Sequence, residues 1–172
     1  MNTLSAQQTP KEIASILSKL ERDYQQYDDG ADTIYLSISR QIEAQRGNPA
    51  NEAVWHSCMA SFLGNYYQEN RYRILERTPV EGAVPADLNV WDLQTLVKQI
   101  VYHYQQSLRN EDFLKRIPIR DWAPLLDSVI SEPYRPTLYD FLAFRALDFL
   151  SRRISEMPIP INPFDINNGK YW

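Results

Sequence analysis

Between Trp55 and Tyr67 the apolar residues recur at steps of three and four, and this spacing restricts the fold more than any other feature. Trp55, Cys58, Met59, Phe62, Leu63, Tyr66 and Tyr67 fall on one helical face over more than three turns. A strand would send successive residues to opposite sides and scatter the set. The helix begins after Asn48-Pro49 and continues through Glu69, Arg73 and Arg77, where Glu69 and Arg73 can pair one turn apart. Thr78-Pro79 stops it, and residues 79–88 read as a loop.

The same periodicity organises the rest. Thr9, Pro10 and Glu12 read as N-cap, first helical residue and capping-box partner. Ile13, Ile16, Leu17, Leu20 and Tyr24 then form the stripe of a first helix, which ends at Asp28-Asp29-Gly30. A second helix begins near Asp32 or Thr33 and carries Ile34, Tyr35, Ile38 and Ile42 to Gly47. The fourth opens at Asn89 and spaces Leu93, Leu96, Val97, Ile100, Val101, Tyr104 and Leu108. Prolines then interrupt the pattern, leaving short helices around 112–116 and 121–129. In the last long helix Thr137 is the N-cap, Asp140 follows three residues on, and Leu138, Phe141, Leu142, Ala146, Phe149 and Leu150 form the stripe. Ala143, Phe144 and Leu147 make its other faces apolar, which predicts a central position. No strand-like alternation occurs. The fold class is all-α: helical hairpins packed as a bundle or a short tetratricopeptide-like array, although no repeat of fixed period is found.

A chain of 172 residues, 44% hydrophobic, forms one domain with its own core, here expected over 9–155. Residues 1–8 are expected to be a disordered N-terminus and 156–172 a Pro-rich extended tail, linker or docking arm. Leu4-Ser5-Ala6 before Gln7 fits the end of a cleaved signal peptide as well as an ordinary frayed terminus. A net charge of -4 without a basic cluster argues against nucleic acid, whose affinity comes largely from neutralised phosphates. No apolar run is long enough to span a membrane.

Reactive residues are few. Cys58 is the sole cysteine, so neither an internal disulfide nor a multi-cysteine metal site can form, and its place on the apolar stripe suits a small buried hydrophobe. His56 and Cys58 are two apart on a helix and diverge, which is poor ligand geometry. His56 and His103 lie on different helices and would need a carboxylate between them to bind a metal or catalyse. With five scattered glycines there is no phosphate-cradling loop, and no nucleophile elbow is present. No catalytic residue, cofactor or metal is expected. Asn70-Arg71-Tyr72-Arg73, with Glu76 and Arg77, reads either as a solvated face with local ion pairs or as a polar anchoring network. Arg145, flanked by apolar positions, should find a carboxylate or a cluster of backbone carbonyls and so fix helix register.

Several runs together resemble a known family. They are Ala53-Val54-Trp55-His56-Ser57, Asn65-Tyr66-Tyr67-Gln68-Glu69-Asn70-Arg71-Tyr72-Arg73-Ile74, Val90-Trp91-Asp92-Leu93-Gln94-Thr95-Leu96 and Ile117-Pro118-Ile119-Arg120-Asp121-Trp122. To these is added Tyr134-Arg135-Pro136-Thr137-Leu138-Tyr139-Asp140-Phe141-Leu142-Ala143, continuing to Ala146-Leu147-Asp148-Phe149. Over about residues 30–155 their order resembles the N-terminal helical region of large alpha-2-macroglobulin-like proteins of Bacteroidetes. The resemblance implies a periplasmic or cell-surface location and a role beside protease-entrapping macroglobulin domains. Cys58 is followed by Met59-Ala60-Ser61 rather than a thioester motif, so no functional residue carries over.

The expected function is therefore a non-catalytic helical interaction or scaffold domain, docking on downstream macroglobulin domains or another protein. The candidate surface comprises Asn70, Arg71, Tyr72, Trp122, Tyr134, Phe164 and Trp172. The alternative is a tetratricopeptide-like peptide binder using Asn65, Asn70 and Tyr72. An enzyme would require His56 or His103 in a cleft beside a carboxylate.

Overall fold

The computed structural model describes residues 7–26, 30–79, 82–85, 87–126 and 135–153. They form six α-helices: α1 (Pro10–Gln26), α2 (Gly30–Ala44), α3 (Pro49–Leu75), α4 (Leu93–Leu108), α5 (Glu111–Leu114) and α6 (Leu138–Asp148). Tighter 3-10 turns cover Leu88–Val90 and Ile119–Leu125, and α6 runs into a wider π-turn at Phe149–Arg153. No strand occurs among the described residues; Pro118 and Thr137 form an isolated bridge.

Local chemistry sets the helix starts. The Thr9–Glu12 capping box forms, with Thr9 N–H donating to Glu12 Oε2 (2.6 Å) and Glu12 N–H to Thr9 Oγ1 (3.3 Å). Asn48 caps α3 and is followed by Pro49 at the first helical position. Thr137 and Asp140 make a reciprocal capping box at α6. The fourth helix starts later than its apolar pattern suggests. Asn89 belongs to a 3-10 turn, and Asp92 caps α4 through Thr95 N–H (2.8 Å). The turn persists because Leu88 is buried while its N–H donates to Asp32 Oδ1 (2.9 Å) on α2. Gly30 opens α2 rather than ending α1, and α2 stops at Ala44; Gly47, at φ 92°, takes the chain round into α3.

The central helix is α3, not α6. Buried residues lie on nearly every face of its first half, from Ala50 through Trp55, Met59 and Leu63 to Tyr67. Small residues between the large ones let neighbours approach closely. At Gly64 a Cβ would stand 3.1 Å from the Phe149 ring. Of the extra apolar residues of α6, Phe144 and Leu147 are exposed and Ala143 is half-buried, and the Arg135 guanidinium sits over the Phe144 ring; Leu150, expected on the buried stripe, is exposed in the π-turn that follows. One core cluster joins Ile13, Ile38, Trp55, Trp91, Ile100, Leu114, Trp122 and Leu142 across the described elements.

Gln8 is held, although the residues before Thr9 are expected to be disordered. Its side chain donates to Gln41 Oε1 (2.7 Å) and accepts from Trp55 Nε1 (2.9 Å). Asn51 Nδ2 donates to both Gln8 O (2.9 Å) and Gln45 Oε1 (2.7 Å). Gln45 and Asn51 are buried, so this amide network fastens the entry to α1 onto α2 and α3.

Candidate functional site

A cleft of about 430 Å³ opens between α1, α2, α3, the 3-10 turn at Ile119–Leu125 and α6. Leu17, Leu20, Ile34, Ile38, Phe62 and Leu125 supply apolar wall. Its polar groups are graded along α3. At one end the half-buried Arg145 donates from Nη2 to Ser61 Oγ (2.6 Å), and Ser61 lies 3.4 Å from the Tyr104 hydroxyl. The guanidinium also stands 5.6 Å from the Phe141 ring centroid. This differs from the expected carboxylate or carbonyl partner: among the described residues Arg145 forms no ion pair. A guanidinium has five N–H donors, and Arg145 lines the cleft with one hydrogen bond to a described residue.

At the other end Tyr24 donates its hydroxyl to Glu69 Oε2. Burial, reinforced by the bond to Glu69, holds the Tyr24 phenol well above its usual range, so it remains a donor. Glu69 therefore does not make the expected pair with Arg73. Tyr24 also meets Phe62 edge-on, with centroids 6.1 Å apart, closing that end with ring surface. Glu21 and Asn65 lie along the walls between the two ends.

Cys58 lines the same cleft. Burial pushes its thiol up; Arg145 opposes that and Glu21 adds to it. A thiol raised above its ordinary value is a poor nucleophile at neutral pH.

The two histidines converge, but elsewhere. His56 on α3 and His103 on α4 bring their Nδ1 atoms to 2.8 Å. Both are buried, and neither lines the cleft. Tyr102 meets both rings edge-on. Burial lowers His56 to about 4, partly opposed by Glu43, and burial followed by repulsion from His56 lowers His103 to about 3. Both imidazoles are thus neutral near pH 7, one Nδ1 donating its proton to the other. Among the described residues no group of three or more His, Cys, Asp or Glu side chains gathers in ligand geometry.

The candidate surface residues separate. Trp122 is in the core at 5% exposure, so it contributes nothing to an exposed aromatic patch. Asn70 marks a kink in α3, where its Nδ2 donates back to Tyr66 O (3.0 Å). Arg71 and Tyr72 are exposed, and neither Asn70 nor Tyr72 lines the cleft, whereas Asn65 does. Arg77 supplies the anchoring expected of this region: it donates to Trp91 O (2.8 Å), Leu88 O and the Tyr66 hydroxyl. Tyr134, Phe164 and Trp172 lie outside the described residues, as does the tail over 156–172. Sequence reasoning missed Tyr24, Ser61 and Glu69 as a set; the signal open to it was the four-residue spacing of Ser61, Asn65 and Glu69 beside the α3 stripe.

The residues thus define an all-α domain with a polar-ended cleft, and no described helix is long and apolar enough to cross a membrane. No family model, curated protein or solved structure matches the chain.

Proposed function

We propose that this chain is a non-catalytic helical interaction domain and that the cleft beside α3 is where it holds its partner. The observation that carries this reading is the cleft itself: apolar and polar walls in about equal measure, with a half-buried guanidinium that has no carboxylate partner among the described residues at one end. A concave surface with apolar wall and convergent polar groups is the usual form of a binding site. Burial holds up the Cys58 thiol in the cleft, and the paired histidines do not line it. The resemblance to macroglobulin-like N-terminal regions supplies the partner to try first, a segment of the downstream macroglobulin-type chain in the periplasm or at the cell surface.

A tetratricopeptide-like peptide binder is the second reading. Successive helices pack in chain order, α1 on α2, α2 on α3 and α3 on α4, while α1 also packs on the Ile119–Leu125 turn and closes the array on itself. Both readings place the partner in the same cleft and differ in whether it is a tethered domain or a diffusible peptide.

The test is a binding titration of the downstream polypeptide and of a displayed peptide library against the native domain and a Ser18→Trp variant. Ser18 is an exposed residue of the cleft wall, so the indole enters the cleft without replacing a core side chain. Saturable binding that Ser18→Trp abolishes supports the reading. Binding of equal strength to both proteins places the interaction elsewhere and overturns it.

A further inference from the structure

We infer that the cleft reads the two charged ends of a short peptide, its free C-terminal carboxylate at Arg145 and its ammonium at Glu69; this rests on the cleft being the binding site. Groups of opposite charge are spaced along one helix. Arg145 enters at Ser61, and Glu69 stands eight residues further along α3. At the rise of an α-helix those positions are ~12 Å apart. An extended chain advances ~3.3–3.6 Å per residue, so a peptide of three or four residues spans the gap with its termini at the two groups.

Each end suits its terminus. A guanidinium forks onto a carboxylate with two parallel N–H donors, and Arg145 spends one nitrogen on a neutral hydroxyl that holds it in place. Glu69 receives one hydrogen bond from Tyr24, which orients the carboxylate and leaves acceptor positions for an ammonium. Glu21, on the α1 wall, adds negative potential between the ends and disfavours an acidic ligand body. Phe62, Leu20 and Ile38 favour apolar side chains in the middle. A fatty acid would satisfy Arg145 and leave Glu69 facing its methyl end, so the pair of charges selects a zwitterion.

The probe is Ala-Leu-Leu-Ala in four forms: free, N-acetylated, C-amidated and capped at both ends, titrated calorimetrically into the intact chain. The free form should bind, and amidation should weaken it by about tenfold to a hundredfold, the loss expected for a charge-assisted pair in a half-buried site. Acetylation should weaken it less, because Glu69 is exposed. On Arg145→Gln the penalty for amidation should vanish while the penalty for acetylation remains, and Glu69→Gln should do the reverse. If Arg145→Gln fails to fold, Arg145→Lys tests the same point, retaining the preference for a free carboxylate at reduced strength because the fork is lost. Binding of all four forms with equal strength, blocked by Ser18→Trp, overturns terminus reading and leaves the cleft as a binding site. No binding of the free form overturns the inference, and loss of the downstream chain and peptide library as ligands in addition overturns the function on which it rests.

Discussion

The His56–His103 contact ties the stability of the domain to pH. Both rings are neutral when folded because burial disfavours the imidazolium, whereas in the unfolded chain each titrates near 6.5. The folded-state values are depressed, so below 6.5 the unfolded chain binds more protons and stability falls as pH falls. The full contribution is present above about pH 6.5 and is lost progressively toward the folded values of about 4 and about 3. At about pH 5.5 each histidine costs on the order of 1 kcal/mol, one pH unit's worth of linkage. Urea unfolding at pH 7.5 and 5.5 should therefore show a lower midpoint at the acid value, and a His56→Phe/His103→Leu double variant should lose most of that difference. Identical midpoints for the native chain at the two pH values would refute the neutral pair. The sequence offered both residues but not their meeting, since they are 47 positions apart and nothing local orients one ring toward the other.

Helix starts were legible because their chemistry is local, and the α6 box shows how much rests on them. Thr137 Oγ1 accepts Asp140 N–H (3.2 Å) while Asp140 Oδ2 accepts Thr137 N–H (3.1 Å). The box sits beside a short antiparallel contact in which Ile119 N–H donates to Pro136 O and Leu138 N–H to Ile117 O, each at 2.9 Å. Thr137→Ala should lower stability by about 1 kcal/mol, read as a lower urea midpoint with unchanged slope. A midpoint within error of the native value would mean that the antiparallel contact alone fixes this start. The α4 start was misread for the opposite reason: Asp87 and Asp92 are both good caps, and only the burial of Leu88 and Trp91 decides where regular helix begins. The cleft was least legible of all. Its wall is assembled from five elements, and the Ser61–Arg145 bond joins residues 84 apart, beyond any periodicity.

For the whole molecule the question is which helix organises the core, because apolar content and burial give different answers. On the last long helix, Ala143, Phe144 and Leu147 broaden the apolar surface and suggest a central element, yet Phe144 and Leu147 are exposed and Ala143 is only half-buried. On α3 the mixture of Ala50, Ala53, Ser57, Ala60 and Gly64 with Trp55, Met59 and Leu63 looks less hydrophobic. Small residues there admit α2, α4, α6 and the Phe149 ring from several sides, so burial follows size complementarity rather than hydrophobic count. Two truncations separate the alternatives. Met59→Ala removes a fully buried side chain and should cost about 2–5 kcal/mol, with the transition to unfolding remaining cooperative. Leu147, at 62% exposure, should tolerate replacement by Ala within about 0.5 kcal/mol. The same pair also bears on binding, because neither residue lines the cleft. Leu147→Ala should leave the affinity for the downstream chain or a cleft peptide unchanged. A loss of binding in Leu147→Ala without a loss of stability would move the interaction to the outer face of α6, and a large loss of stability there would restore α6 as the centre of the fold.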